Sequence, residues 1–359
     1  MKFSLFFFPS SVDQPRRSYA GLSKLSVHAD ANGFHAIWLP ERHFHAFGGL
    51  FPNPVVAAAW LASVTTRIGL RAGSVLLPLH NPVRVAEDWA LVDNLSGGRV
   101  GMAVGSGWHA DDFVLNPTGF DARREIAHTS LDVLRRLWRG EPVEMTGGSG
   151  EKKPVLTFPR PIQPELPIWI TCTGTPSTYL TAASGGFGVL TYAVSQTFDE
   201  LGKALSSYRA AFQPGLTHDP PKVTVMVHTY VARDRADLEV NALEPYHRYL
   251  KASISLFKNQ LQAAALSGTA LHPADLDSLV RHSAQKLRAR SLVGTEDECA
   301  AVLNRLREIG VDEVACLVDF GVELPAVMES MERLCALKDR YARPAESDER
   351  AERPAVQGR

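Results

Sequence analysis

The chain is short of several things that would each point to a class. It has four cysteines in 359 residues, Cys172, Cys299, Cys316 and Cys335, far apart and with no Cys-x-x-Cys pair. That argues against a disulfide framework or a structural zinc site, and a reducing cytoplasm is the expected setting. An excess of charge is also missing: 38 Lys and Arg stand against 39 Asp and Glu, a formal net charge of −1. No basic field is left to hold nucleic acid or an anionic membrane. The local basic stretch Arg281–Arg290 is diluted by Leu, Ala and Gln and reads as a solvated helix face. No apolar run is long enough to span a bilayer. The opening Met1-Lys2-Phe3-Ser4-Leu5-Phe6-Phe7-Phe8 stops at Pro9 without a cleavage site of small residues, so a buried first strand is expected and not a signal peptide. A dinucleotide fingerprint is absent as well. Gly101, Gly105 and Gly107 have the wrong spacing, and Trp108-His109-Ala110 follows where a helix would have to begin.

What is present is apolar material for a large core, 45% of the chain, arranged as short runs between helical patterns. Eight strands are expected: Lys2–Phe8, Ala36–Leu39, Ile68–Val75, Val100–Val104, Ile168–Thr171, Gly188–Thr191, Val223–Val231 and Glu313–Val318. Most are continuous runs of Val, Ile, Leu and Phe, the pattern of strands covered on both faces. Helices are expected over Tyr19–Asn32, Asn53–Thr66, Asn81–Leu95, Asp121–Arg139, Pro176–Ser184, Thr197–Phe212, Arg233–Leu250 and Glu296–Ile309. Asn53-Pro54 and Asn81-Pro82 are cap-then-proline starts, and Gly33, Gly97 and Gly310 are stops. Repeated strand–helix alternation predicts a (β/α)8 barrel over residues 1–341. Glu141–Pro167, rich in glycine and proline, reads as a loop or small hairpin. Ser253–Arg290 reads as an insertion between strands seven and eight, lying over the barrel mouth. The charged stretch 342–359 reads as a disordered tail.

In such a barrel the chemistry sits at the C-terminal strand ends. These ends are Phe8-Pro9-Ser10, Pro40-Glu41-Arg42-His43-Phe44-His45, Gly73-Ser74-Val75, Gly105-Ser106-Gly107-Trp108-His109 and Thr171-Cys172-Thr173-Gly174-Thr175. Polar residues and glycine gather there although the strands are apolar, which marks a site.

Pro40-Glu41-Arg42-His43-Phe44, Asn53-Pro54, Leu77-Pro78, Pro82 to Asp88, Asp93 to Arg99, Gly105 to Trp108, Pro167 to Ile170 and Gly294 to Cys299 together resemble the luciferase-like flavin monooxygenase family. The resemblance covers the chain to about Leu337. The string Glu41 to Gly49 is similar to a subfamily found with polyketide and peptide synthetases. It implies reduced FMN, supplied by a separate flavin reductase, with oxygen as co-substrate and a natural-product substrate, free or tethered to a carrier protein. A homodimer through helices on the barrel's side is common among relatives. Gly73-Ser74, followed by Val75, matches the place where the family often has a non-prolyl cis peptide beneath the flavin. Thr173, Gly174, Thr175 and Ser177 open a helix whose N–H groups suit a phosphate. Ser106 and Gly107 belong to the same cradle, and Ser106 stands where many relatives have an Arg. His43 is the expected proton carrier. Arg42 is the second catalytic candidate beside it and departs from the family's paired histidines. Trp108, His109 and Phe8 are expected to wall the substrate side, where water must be excluded because reduced flavin otherwise wastes oxygen as hydrogen peroxide.

Other readings are open. His43-Phe44-His45 looks like the metal pair of barrel hydrolases, but it follows strand two, and only His228 is an obvious companion; no metal is expected. A barrel that binds flavin without turnover, or one that uses the deazaflavin F420 for hydride transfer, would share this fold.

Overall fold

A computed structural model describes residues 1–194, 196–214, 220–253 and 284–342. The strands are β1 (Lys2–Phe6), β2 (Ala36–Leu39), β3 (Gly69–Leu76), β4 (Val100–Gly105), β5 (Val143–Thr146), β6 (Lys152–Val155), β7 (Ile168–Thr171), β8 (Gly188–Tyr192), β9 (Val223–Ala232), β10 (Leu292–Thr295) and β11 (Glu313–Leu317). Eight of them close a parallel ring in the order β1, β2, β3, β4, β7, β8, β9, β11 and back to β1. This is a (β/α)8 barrel, and all eight strands expected from the sequence form it, with ends shifted by two residues or fewer.

Alternation of side chains across each strand divides the core in two. Phe3 and Leu5 of β1 join Leu39, Leu70, Val225 and Val314 in the layer beneath the helices. Phe6, Trp38, Ala103, Trp169, Leu190 and Leu317 fill the barrel itself. The lower interior also holds a buried ion pair. Arg71 Nη1 donates to Glu313 Oε2 at 2.8 Å, and its guanidinium lies over the rings of Trp38 and Trp169 at 5.0 and 4.5 Å.

The helices are α1 (Pro15–Ala31), α2 (Pro54–Ala62), α3 (Pro82–Ser96), α4 (Arg123–Arg139), α5 (Pro176–Ser184), α6 (Phe198–Ala211), α7 (Arg235–Leu238, running on through a π turn at Glu239–Leu243), α8 (Glu296–Glu308) and α9 (Leu324–Ala342). Their starts follow from side-chain caps. Asn53 accepts from Val55 N–H and Asn81 from Val83 N–H, while Thr197 with Glu200 and Thr295 with Glu298 form capping boxes.

The structure departs from the sequence expectations in a few places. α2 stops at Ala62, short of Thr66, because the hydroxyls of Ser63 and Thr65 bond back to the carbonyls of Trp60 and Leu61. Glu141–Pro167 contains the antiparallel hairpin β5–β6. Two elements were not anticipated: β10, which pairs with the far end of β9 outside the ring, and α9, the helix that follows the eighth strand. Most of the insertion expected over the barrel mouth (254–283) and the tail from residue 343 onward lie outside the described residues.

Candidate active site

The C-terminal end of β2 carries the densest set of ionisable groups. Glu41 is buried, and its Oε1 receives His43 Nε2 at 2.9 Å and His80 Nε2 at 2.5 Å, while its Oε2 takes the Leu76 N–H at 2.7 Å. Burial pushes the Glu41 carboxyl up, but the hydrogen bonds from His43 and His80 outweigh it and hold the group below its ordinary value. Burial likewise pulls His80 down, and its bond and charge interaction with Glu41 reverse that, leaving it above its ordinary value. The ligand atoms of Glu41, His43 and His80 lie within 4.8 Å of one another. They meet as two imidazoles hydrogen-bonded to one carboxylate oxygen. Such a carboxylate fixes which nitrogen of His43 carries its proton and leaves Nδ1 as the free lone-pair side.

The hydrolase-like histidines do not converge. His45 Nδ1 accepts the Phe47 N–H at 3.0 Å, and His228 is enclosed by the rings of Tyr246, Tyr249 and Phe320. Burial takes His228 down to about 3, so it is neutral at physiological pH.

Beside the Glu41 cluster, Arg42 reaches the loop after β4. Its Nη1 donates to Asp112 Oδ2 at 2.9 Å, and its guanidinium carbon lies 5.3 Å from the centre of the Trp108 ring. Burial raises the Asp112 carboxyl, with Arg42 the first of the charges that pull it back. Trp108 is exposed and meets His109 edge-on at 5.3 Å. Across the mouth, the Phe8 ring packs on Phe47 at 5.3 Å, and the Phe8 N–H donates to Asp319 Oδ1 at 2.8 Å.

The Gly73–Ser74 peptide is cis. A Cβ on Gly73 would come within 2.9 Å of the Phe6 ring, so that surface faces the barrel interior. Ser74 is buried, its Oγ 3.2 Å from where a Cβ on Gly105 would stand, and Gly107 takes a left-handed φ of 76°. Val75 differs in orientation: its side chain belongs to the outer core layer, so only its backbone faces the mouth. Ser106 is half-buried beside it.

After β7, Thr173, Gly174, Thr175 and Ser177 are all exposed around the start of α5. Gly174 has φ 107° and open space where a Cβ would be, and the Thr175 side chain makes no cap bond; Pro176 carries no N–H and the Thr178 N–H goes to the Thr175 carbonyl at 3.1 Å, which leaves the Ser177 N–H without a cap. Gln196 Oε1 lies 4.0 Å from that open space, and Arg290 donates to the Gln196 carbonyl.

Several buried polar atoms have no hydrogen-bond partner among the described residues, and most stand at these strand ends: Arg42 Nε and Nη2, Asp112 Oδ1, His109 Nδ1 (3.8 Å from the Asp111 carboxylate), Thr171 Oγ1 and both nitrogens of His228. Buried polar groups are normally satisfied, so a row of orphans along one rim marks a place built for something else to bind. A planar, polar-edged cofactor with a phosphate tail fits this rim. His80, Asp112 and Asp319 are the groups absent from the sequence expectations, and Glu41 stood among the ionisable residues of the β2 end without a role of its own. Their signal was weak, since each matters through a partner on a different strand.

The chain matches the family model described as luciferase-like monooxygenase over residues 1–313. It belongs to that family. Among curated relatives, the oxygenase component of a flavin-dependent trigonelline monooxygenase from Acinetobacter baylyi is 26% identical over 345 residues, covering 93% of each chain. Among solved structures, monooxygenase RslO1 from Streptomyces bottropensis superposes with a TM-score of 0.76 at 26% identity, covering 95% of this chain and 100% of that one. The oxygenating constituent of 3,6-diketocamphane monooxygenase from Pseudomonas putida, solved in complex with FMN, shares the fold with a TM-score of 0.71 at 18% identity, covering 93% and 96%. This luciferase-like chain presents its polar rim at the C-terminal end of the barrel strands. No helix among its described residues is long and apolar enough to cross a membrane.

Proposed function

We propose that this luciferase-like protein is the oxygenase component of a two-component system, taking reduced FMN from a separate flavin reductase and inserting one oxygen atom of O2 into an organic substrate. The observation that carries the proposal is the row of buried polar atoms without hydrogen-bond partners along the β2, β4 and β7 ends, continuous with the cis Gly73–Ser74 peptide and the uncapped Ser177 N–H of α5. FMN is favoured over F420 because the trigonelline relative is described as flavin-dependent and the diketocamphane enzyme was solved with FMN.

Bound at this rim, the reduced flavin would supply the activation of oxygen. Thr173 to Ser177 with the Ser177 N–H, together with Ser106 and Gly107, would hold its phosphate, with Arg290 the nearby cation, and Gly73-Ser74 would take its ring system. His43, oriented by Glu41 and backed by His80, holds or moves a proton at Nδ1. Trp108, His109 and Phe8 wall the substrate side and keep water out. We also propose a homodimer paired through α2 and α3, argued below.

The test supplies the protein with FMN, a generic flavin reductase and oxygen-18 gas, with candidate biosynthetic intermediates offered free and carrier-bound and a parallel arm containing F420. Mass spectrometry should find one labelled oxygen in product with FMN and none with F420. Oxygen consumed with no labelled product from any candidate, or turnover only with F420, would refute the proposal. His43→Ala should lower coupled product roughly a hundredfold, in the range of lost acid–base help, while leaving FMN affinity within about twofold. Unchanged coupling removes His43 from the mechanism.

A further inference from the structure

Arg42 is 4% exposed and spends only part of its hydrogen-bonding capacity: Nη1 is held by Asp112, while Nε and Nη2 are buried without a partner among the described residues. Those two nitrogens form the side-on edge of the guanidinium, whose parallel N–H groups match the two oxygens of a carboxylate or one edge of a phosphate. Asp112 fixes the plane from the opposite side, so the edge is pre-aimed and cannot swing to solvent. None of the neighbouring acceptors hydrogen-bonds to it. Asp112 already faces Nη1, Glu41 is engaged by His43 and His80, and His45 accepts a backbone N–H. Trp108 lies 5.3 Å from the guanidinium carbon, its ring against the cation.

We infer that the Nε/Nη2 edge of Arg42 is a seat for an oxyanion, and that the substrate of this oxygenase carries a carboxylate that docks there. The inference rests on the flavin reading of the same rim. The other source of such chemistry is the flavin's own phosphate. Its cradle lies at the end of β7, with β3 and β4 between it and Arg42 in the barrel order, so the substrate is the better match. Arg42 thereby sets specificity and takes no part in bond making.

Calorimetric titration with benzoate and benzamide, on the protein with and without FMN, tests the seat. FMN and riboflavin are titrated separately. The wild type should bind benzoate roughly tenfold more tightly than benzamide, as charge-assisted bonds to a buried guanidinium allow. Arg42→Met should abolish that preference. Arg42→Lys, which keeps the charge but not the fork, should restore only a minor part of it. Because Arg42→Met strands the Asp112 carboxylate, the double variant Arg42→Met with Asp112→Asn is measured alongside, folding checked by circular dichroism, and should lose the preference equally. No preference in the wild type, or a preference that survives the double variant, overturns the inference. So does a loss that falls on FMN and spares riboflavin, because the seat would then belong to the phosphate. Absent FMN affinity with the benzoate preference intact would sink the flavin reading and leave the seat standing.

Discussion

Asp319, two residues past the end of β11, is a carboxyl held where charge is unwelcome. Burial pushes it up to about 7, with the Phe8 N–H pulling the other way. The consequence for stability has a definite sign. An acid whose folded value is raised favours its protonated form in the fold, so its penalty is absent below the ordinary carboxylate range. The penalty grows as pH rises from there toward 7 and is complete above it. Asp319→Asn keeps an oxygen for the Phe8 N–H and removes the charge. Thermal unfolding should therefore show a gain in Tm over wild type that is larger at pH 8.5 than at pH 5.5; equal gains at both would show that Asp319 is not neutralised by the fold. Groups of this kind were invisible in the sequence for a physical reason. Glu41 becomes a hub only because His80 and the Leu76 N–H arrive from 39 and 35 residues away. Asp112 matters only because Arg42, 70 residues distant, reaches it. Local pattern identified the strand ends as places for chemistry, but which acid meets which base is set by the barrel's closure.

Strands were legible for the opposite reason. A strand buried on both faces must be apolar at nearly every position, so β2 (Ala-Ile-Trp-Leu) and β7 (Ile-Trp-Ile-Thr) advertise themselves without reference to any partner. β10 escaped because four residues that include Gly294 carry too little pattern, and α9 escaped because the strand–helix reading ended on its eighth strand. What apolar patterning could not reveal is the buried polar plug of the barrel. Arg71 on β3 and Glu313 on β11 meet inside it. Glu313 is also held by Ser4 Oγ at 2.6 Å and Trp38 Nε1 at 2.9 Å, which ties β1, β2, β3 and β11 together. Next to it His35 is taken down to about 4, by burial first and the Arg71 charge second, so it is neutral and able to receive Arg71 Nη2 at 2.8 Å. Arg71→Met leaves Glu313 buried and uncompensated, and should cost about 3–5 kcal/mol in urea unfolding. Removing both charges in Arg71→Met with Glu313→Leu should cost clearly less. If the double variant is as unstable as the single one, the pair is not what the interior is arranged around.

At the scale of the whole molecule, α2 is the element that does not suit a lone barrel. Its sequence, Pro-Val-Val-Ala-Ala-Ala-Trp-Leu-Ala, has no polar side chain on any face, a composition that belongs to a helix covered all round. Yet Val56 is 64% and Trp60 39% exposed on one side of it, and Leu91 and Leu95 stand out from α3, which packs alongside. Spacings of four residues on both helices set these side chains in two adjacent rows, and such a patch is self-complementary when turned on a twofold axis. The homodimer proposed above takes a second copy of the chain as the occupant of these rows, in line with the expectation from the family resemblance. The pairing would also bear on chemistry. Pro54 and Val55 at the start of α2 line a cleft with Glu41, Val75 and His80, so a partner braced against α2 steadies the carboxylate that orients His43. Sedimentation should therefore find the wild type dimeric and Trp60→Glu monomeric, with unchanged circular dichroism and a lower yield of oxygenated product per FMN oxidised. Val240→Glu, an equally drastic change at a 77% exposed position on the α7 π turn, should leave the dimer intact. A monomeric wild type would refute the pairing, and so would dissociation by both variants, because the α2 face would then have no special part in it.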